Sequence, residues 1–135
     1  MSRTLILLFS VIALTLTGCA TYTISTPSLL EQFANAGTER KVVYTYTPPF
    51  FFSGSVNGND LRTIKAMDKN NKEHEFRVTN HTGVRITRND GKKTTFYFNT
   101  LLIKDSTIAG SKTHFFNAQI KPIKLNDIAK IQLQR

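Results

Sequence analysis

The chain has 135 residues, a length typical of one small domain together with a targeting segment. It carries 18 Lys and Arg against 9 Asp and Glu, a formal charge of +9, and its apolar fraction of 40% suffices for a small core. This composition excludes a collagenous, repetitive or wholly disordered chain. Because Cys19 is the only cysteine, the chain cannot form an intramolecular disulfide. The role of this thiol therefore has to be inferred from its position in the chain.

The N-terminal segment has the pattern of an export signal. Arg3 gives it a short basic start, and a mostly apolar run follows from Leu5 to Leu16. A run of about twelve residues matches the apolar region of a signal peptide and is too short to cross a bilayer, which takes about 20 residues. The pattern therefore predicts a signal peptide over residues 1–18.

The end of this run, Leu16-Thr17-Gly18-Cys19, resembles the lipobox of bacterial prolipoproteins. Small residues before the cysteine give a protease access to extended backbone, and the deprotonated thiol can take a diacylglyceryl group as a thioether. The resemblance implies cleavage before Cys19 and acylation of its new amino group, and two or three acyl chains anchor a protein stably. Because the resemblance covers only residues 1–19, it implies a lipid-anchored address in the cell envelope and no activity.

The residues after the cysteine bear on which membrane holds the anchor. Ala20-Thr21-Tyr22-Thr23 lacks the Asp directly after the cysteine that, in bacteria with two membranes, favours retention in the inner one. We therefore expect the periplasmic, inner leaflet of the outer membrane if the organism has an outer membrane.

Residues 19–41 are expected to form a lipidated tether with at most one short helix. Pro27 suits the first turn of a helix, and either Thr26 or Ser28 could cap it, with Glu31 completing a capping box with Ser28. Gly37 would end this helix. An extended linker is the alternative for the same stretch, and it could lift the domain a few tens of Å from the membrane.

Beyond the tether the sequence has the pattern of short strands separated by turns. Glu73–Thr79 alternates between apolar and polar residues, which places Phe76 and Val78 on one face, and Val84 and Ile86 alternate in the same way in the next strand. These patterns are typical of half-buried antiparallel strands.

Two later segments carry more specific expectations. Asn89-Asp90-Gly91 predicts a hairpin. The segment Thr94–Ile103 is apolar on both faces and predicts a central strand, and Lys112–Lys121 predicts a further strand.

The C-terminus predicts two strands joined by one helical turn. Ile123 and Leu125 alternate, as do Ile131 and Leu133. Ile128 and Ile131, by contrast, are three residues apart, which indicates one helical turn with Asn126 or Asp127 as the expected cap. This ending resembles that of small SH3-like or Sm-like barrels. Together, seven to nine short strands without a long helix predict a mainly β domain over residues 42–135, an antiparallel sheet or a barrel-like sandwich.

No catalytic constellation is found in the sequence. His74, His81 and His114 are far apart and lack metal-type spacing, so solvent-exposed histidine is expected for each. Cys19 is assigned to the lipid, the glycines are too isolated to build a phosphate loop, and the Asp residues fall in turn-like positions. We therefore expect no enzyme, no metal and no cofactor.

Positive charge is the main functional indication. Arg85, Arg88, Lys92 and Lys93 flank the predicted hairpin and are expected to form one basic face. Such a face concentrates anionic partners over about 8 to 10 Å at physiological salt. For an anchored envelope protein these partners are lipid head groups, cell-wall polymers or lipopolysaccharide phosphates, whereas nucleic acid suits the charge but not the compartment. A basic surface that merely keeps the domain soluble is the competing interpretation.

The segment Pro48-Pro49-Phe50-Phe51-Phe52 is a second candidate site. Because three successive residues cannot all point to one side of a strand, at least one of Phe50, Phe51 and Phe52 is expected at an exposed apolar tip. Such a tip would touch a membrane or a protein partner. A strand buried on both faces, or a bend that closes one end of a barrel, explains the same residues without a site.

Two functions follow as expectations. The first is a non-enzymatic envelope lipoprotein whose β module binds a partner or an anionic polymer, or serves as a structural accessory. The alternative is a small β-barrel carrier for an apolar ligand, which needs eight or more strands and an unfilled interior. A small hydrolase would require at least two of His74, His81 and His114 to converge with a carboxylate.

Overall fold

The structure is a computed structural model that describes residues 20–36, 40–45, 53–112 and 121–135. Its regular elements comprise one α-helix, two short 3-10 helices and eleven strands. In chain order they are β1 (Tyr22–Ile24), α1 (Thr26–Ala34), β2 (Arg40–Thr45), β3 (Ser53–Gly58), β4 (Thr63–Met67), β5 (Glu73–Arg77), β6 (Gly83–Arg88), β7 (Lys93–Tyr97), a 3-10 helix (Phe98–Thr100), β8 (Leu102–Lys104), β9 (Thr107–Ala109), β10 (Ile123–Lys124), a second 3-10 helix (Leu125–Asp127) and β11 (Ile128–Gln134).

The strands form three antiparallel sheets. The largest has six strands in the order β5-β4-β1-β11-β6-β7, the second has the order β10-β9-β8, and β2 pairs with β3. The predicted mainly β class is confirmed, and within the described residues the sheets do not close into a barrel. The strand count of the described residues exceeds the expected seven to nine, and four of the strands have only two or three residues.

The core lies on one face of the six-stranded sheet, between that sheet, the helix and the three-stranded sheet. Val84 and Ile86 of β6 point into it opposite Leu133 and Ile131 of β11, as their alternation predicts. The buried apolar residues of this core are Ile24, Leu29, Ile64, Ala66, Val84, Ile86, Phe96, Phe98, Leu101, Ile108, Ile123, Ile131 and Leu133.

The segment expected to be a tether is largely part of this domain. β1 lies inside the six-stranded sheet, where Tyr22 pairs with Leu133 and Thr23 pairs with Met67. Leu29 of the helix is fully buried. Residues 22–36 therefore belong to the folded unit, because their few apolar side chains fill the core, in contrast to the expected linker.

The N-cap of the helix lies one residue before Thr26 and three residues before Ser28, the two expected caps. Ser25 has extended backbone and is the N-cap, and its hydroxyl accepts a hydrogen bond from the Ser28 N–H at 3.2 Å. Pro27 occupies the first turn as predicted. Neither Thr26 nor Ser28 is therefore the cap, and the helix ends at Ala34 with Asn35 as C-cap, ahead of Gly37, which lies outside the described residues.

The predicted hairpin is present, but the predicted central strand is divided. Gly91 adopts a left-handed φ of +82° at the β6–β7 turn, as the Asn89-Asp90-Gly91 signal requires. Thr94–Ile103 instead contributes most of β7, which is an edge strand of the six-stranded sheet. The chain then forms the 3-10 helix Phe98–Thr100 and enters β8 of the three-stranded sheet. The chain is apolar on both faces there because it turns while remaining in the core.

The C-terminal arrangement of strand, turn and strand is confirmed, but its cap is not. The 3-10 helix Leu125–Asp127 has Lys124 as N-cap with no side-chain cap hydrogen bond, so neither Asn126 nor Asp127 caps it. The backbone N–H of Leu125 donates instead to the Ser106 carbonyl at 2.9 Å. Most of the strand expected over Lys112–Lys121 lies outside the described residues.

Candidate functional site

The histidines take two different places. His74 is half-buried, and its Nε2 lies 2.9 Å from Asp68 Oδ2, while its ring meets the Tyr22 ring edge-on at 5.4 Å between centroids. The expected exposure of His74 is therefore wrong, because its strand turns this side chain toward Tyr22. His81 is exposed as predicted, and His114 lies outside the described residues. Within the part of the chain that the structure describes, no three His, Cys, Asp or Glu side chains are placed to hold a metal ion.

Asp68 organises the β4–β5 turn. Its Oδ1 accepts hydrogen bonds from the backbone N–H groups of Asn70 at 2.8 Å and Lys72 at 3.0 Å. The hydrogen bond with His74 first, and then these backbone bonds, hold the pKa of Asp68 below its ordinary value of 3.8. The pair is a structural clasp of the turn, as expected for an Asp in a turn-like position.

The predicted basic face is not one surface. Arg85 and Lys93 lie on the face of the six-stranded sheet away from the core, where Arg85 is opposite Thr95 and Lys93 is opposite Thr87. Arg88 points to the other face because it is an odd number of residues from Arg85. The hairpin thus separates side chains that are close in sequence.

Arg88 is also engaged in its own turn. Its Nη2 lies 3.5 Å from Asp90 Oδ2, and its Nε is buried without a hydrogen-bond partner among the described residues. The Lys92 side chain is exposed at the end of the hairpin, where its backbone N–H donates to Asp90 Oδ1 at 3.0 Å. Asp90 therefore compensates part of the charge that the hairpin was expected to contribute.

A different basic surface forms at the end of the six-stranded sheet that lies opposite the β6–β7 hairpin. There Arg85 lies beside Gln134, and the Gln134 carbonyl oxygen, oriented toward the guanidinium, accepts from Arg85 Nε at 3.1 Å and Nη2 at 2.6 Å. This contact fixes Arg85 toward the last residues of β11, away from the hairpin.

Arg135 lies at the same end of the sheet. Its guanidinium carbon is 5.0 Å from the centroid of the Phe76 ring, a cation–π contact. Phe76 in turn meets Tyr22 edge-on, with 4.5 Å between ring centroids. A small aromatic platform therefore supports Arg135 where β1, β5 and β11 come together.

Three adjoining hollows share Arg135 and define what we call the basic end. The first, about 470 Å³, is lined by Ala20, Tyr22 and Arg85 among others, and the second, about 280 Å³, by Phe76, Arg77 and His81 among others. The third, about 310 Å³, is lined in part by His81 and Lys112. The basic end consists of Arg77, His81, Arg85, Lys112 and Arg135.

The hollows of the basic end are lined by more basic than acidic side chains in the described part of the chain. Four of its side chains are cationic, and no Asp or Glu lines any of the three hollows. A free α-carboxylate on Arg135 would offset one of these charges. Guanidinium groups with few neighbouring carboxylates are suited to bind phosphate or carboxylate oxygens.

Sequence reasoning found Arg85 and missed the other members of the basic end. Arg77, Lys112 and Arg135 come from different strands and loops, so their proximity depends on the strand order β5-β4-β1-β11-β6-β7. The only available signal was alternation, which placed Arg77 on the polar face of its strand. The remaining predicted site residues, Cys19 and Phe50 to Phe52, lie outside the described residues.

Comparison with known proteins does not assign the chain to a family. Neither protein-family models, nor curated proteins, nor solved structures gave a match to the chain. Among the described residues, no helix has the length and apolar character needed to pass through a bilayer.

Proposed function

We propose that this chain is a bacterial envelope lipoprotein, anchored through lipid on Cys19, whose β domain is a non-enzymatic binding or accessory module for an anionic partner. The observation that carries the proposal is Leu16-Thr17-Gly18-Cys19 at the end of an apolar run, in a chain with no other cysteine. Since an exported chain with one cysteine cannot form an internal disulfide, covalent attachment is the role that best fits a lone thiol at this position.

The basic end supports the part of the proposal that concerns the partner. Its cationic side chains line open hollows, and Gln134 and Phe76 hold two of them in place. Preorganised guanidinium groups lose less side-chain entropy on binding than freely mobile lysines do. An anionic surface or polymer of the envelope is therefore the partner class we propose, in the outer membrane if the organism has one.

The apolar-ligand carrier receives less support. Such a carrier needs an unfilled interior, whereas Phe96, Phe98 and Leu101 fill the described core and are at most 1% exposed. One apolar hollow of about 290 Å³ lies between the helix and β8, lined by Leu30, Phe33 and Leu102 among others, and it is open to solvent on the surface.

The anchor is tested by labelling growing cells that express the chain with an alkyne analogue of palmitate. We expect label on the wild type and on Thr17→Ala, which keeps a small residue in the lipobox, and none on Cys19→Ser. Because the readout is covalent incorporation, an uncleaved signal peptide that holds Cys19→Ser at the membrane cannot imitate it. Wild-type protein that is exported without label would contradict the proposal.

A further inference from the structure

We infer that the basic end is the face with which the anchored domain rests on anionic lipid head groups of the membrane that holds its anchor. The inference rests on the proposed lipidation of Cys19 and names the partner of the basic end. It also assigns the domain a fixed orientation, with the β6–β7 hairpin pointing away from the membrane.

The first observation is the short distance along the chain between the anchor and the sheet. β1 begins at Tyr22, so three peptide units separate its first residue from Cys19. A fully extended chain of that length spans about 10 Å. A lipid on Cys19 therefore leaves the domain no room to stand away from the bilayer, unlike the long tether that the sequence suggested.

The second observation is where the chain enters the domain. Ala20, the residue next to Cys19, lines the same hollow as Arg85 and Arg135. The acyl chains would thus leave the domain beside these two guanidinium groups. The head groups around the anchor would meet them directly, within the distance over which salt leaves charges unscreened, about 8 to 10 Å.

The third observation is the distribution of charge along the sheet. At the hairpin end, Arg88 is paired with Asp90, so an acidic side chain lies close to a basic one. On the outer sheet face, Lys65 Nζ is 3.2 Å from Glu73 Oε1. The basic end combines several cations with no acidic lining residue, and it is the end where the chain leaves toward Cys19.

The orientation can be measured with single labels, since the chain has one cysteine and lipidation would block it. Thr95→Cys is exposed at the basic end, and Asn126→Cys is exposed beside the hairpin. Thr95 is opposite Arg85 and Asn126 contacts Asn89, four residues further along the chain, so the two positions are about 13 Å apart along the strand direction. Each thiol receives the same fluorophore, and the lipidated protein is reconstituted into phosphatidylcholine vesicles with a nitroxide quencher on the head group, with or without about one-third phosphatidylglycerol.

We expect stronger quenching of the Thr95 label than of the Asn126 label in the anionic vesicles, and a smaller difference in neutral vesicles or at about 0.5 M salt. Each cation close to an anionic surface favours contact about fivefold, so Arg85→Gln with Arg135→Gln should weaken head-group contact roughly 25-fold. The matched control, Lys104→Gln with Lys124→Gln, removes the same charge from exposed positions that both pair with Thr107 in the three-stranded sheet, and it should keep the difference.

A second pair of substitutions covers the case in which loss of Arg85 disturbs the fold. Arg77→Gln with Lys112→Gln changes two exposed side chains of the basic end and should weaken contact in the same direction. Acylated protein whose two labels are quenched equally, or whose difference does not depend on anionic lipid, would overturn the orientation and leave the lipoprotein proposal standing. A purified protein whose mass shows no acyl chain would overturn both.

Discussion

Gln32 of the helix pairs through its side-chain amide with the backbone of Lys65 in β4. The Lys65 N–H donates to Gln32 Oε1 at 2.8 Å, and Gln32 Nε2 donates to the Lys65 carbonyl at 3.2 Å. β1 meets β4 at the Thr23–Met67 pair and then leaves the sheet, because Ser25 caps the helix. The Gln32 amide therefore occupies the position where the next residue of β1 would have paired with β4. It provides hydrogen-bond partners for the backbone N–H and carbonyl of Lys65.

Replacing Gln32 should therefore loosen the join between the helix and the sheet. Gln32→Leu removes the two hydrogen bonds with Lys65 and a third from Gln32 Nε2 to Ser28 Oγ at 3.1 Å. Because these groups are near solvent, we expect a loss of about 1 to 2 kcal/mol in the free energy of unfolding, measured by urea denaturation. Gln32→Glu can still accept from the Lys65 N–H but sets a carboxylate oxygen against the Lys65 carbonyl, so it should lose about as much. Glu31→Ala, on the exposed side of the same helix, is the control and should change stability by less than about 0.5 kcal/mol.

Gly110 is a position where a methyl group has no room. A Cβ atom there would lie 2.8 Å from Phe96 Cδ1 and 3.1 Å from Leu101 Cδ2, and both side chains are buried in the core. We expect Gly110→Ala to destabilise the domain by about 1 to 3 kcal/mol in thermal or urea unfolding. At Gly83 the nearest atom to such a Cβ is 3.5 Å away, so Gly83→Ala should be neutral within about 1 kcal/mol. Equal effects at the two glycines would contradict this packing.

Asn59 ties the end of β3 to the first 3-10 helix. Its Nδ2 donates to the carbonyls of Phe98 at 2.8 Å and Leu101 at 3.0 Å, and its Oδ1 accepts from the Leu61 N–H. Asn59→Leu removes three hydrogen bonds to backbone groups, of which the Phe98 carbonyl keeps its bond from the Leu101 N–H, and it should cost about 2 to 4 kcal/mol. Asn59→Asp should cost at least as much, because it sets a carboxylate against two carbonyl oxygens. Asn57→Asp, two residues away and exposed, should be almost neutral, and unfolding curves of all three variants provide the test.

The Asp68–His74 contact predicts a specific dependence of stability on acid. Because the folded protein lowers the pKa of Asp68 below 3.8, chiefly through His74, ionised Asp68 stabilises the fold above that pH. The stabilisation is lost as the pH falls through the lowered pKa. The free energy of unfolding of Asp68→Asn should therefore fall less than that of the wild type between neutral pH and about pH 3. Parallel curves for the two proteins would refute this role, and Glu31→Gln controls for removal of a carboxyl group.

Local sequence patterns predicted the elements of the fold that depend on residues close together in the sequence. Asn89-Asp90-Gly91 predicted its hairpin because the turn needs a residue with positive φ, which Gly91 supplies. The alternation of Val84 and Ile86 predicted their burial against β11. The mainly β class followed from several such short segments.

The position of β1 depended on distant contacts instead. A strand of three residues is too short for alternation, and its partners on β11 and β4 are more than 40 residues away in sequence. The tether expectation failed for this reason. The placement of the predicted site residues also depended on the fold, since Arg85 and Arg88 lie on opposite faces of β6 while Arg135 reaches the same end as Arg85.

Mass spectrometry of the N-terminal peptide from membrane fractions tests whether Cys19 carries the lipid anchor. We expect a mature chain that begins at Cys19 and carries the mass of a diacylglyceryl thioether and an acylated amino group, and no such peptide from Cys19→Ser. An N-terminus elsewhere, or a Cys19 peptide without added lipid mass, would contradict the anchor and, with it, the orientation inferred for the basic end.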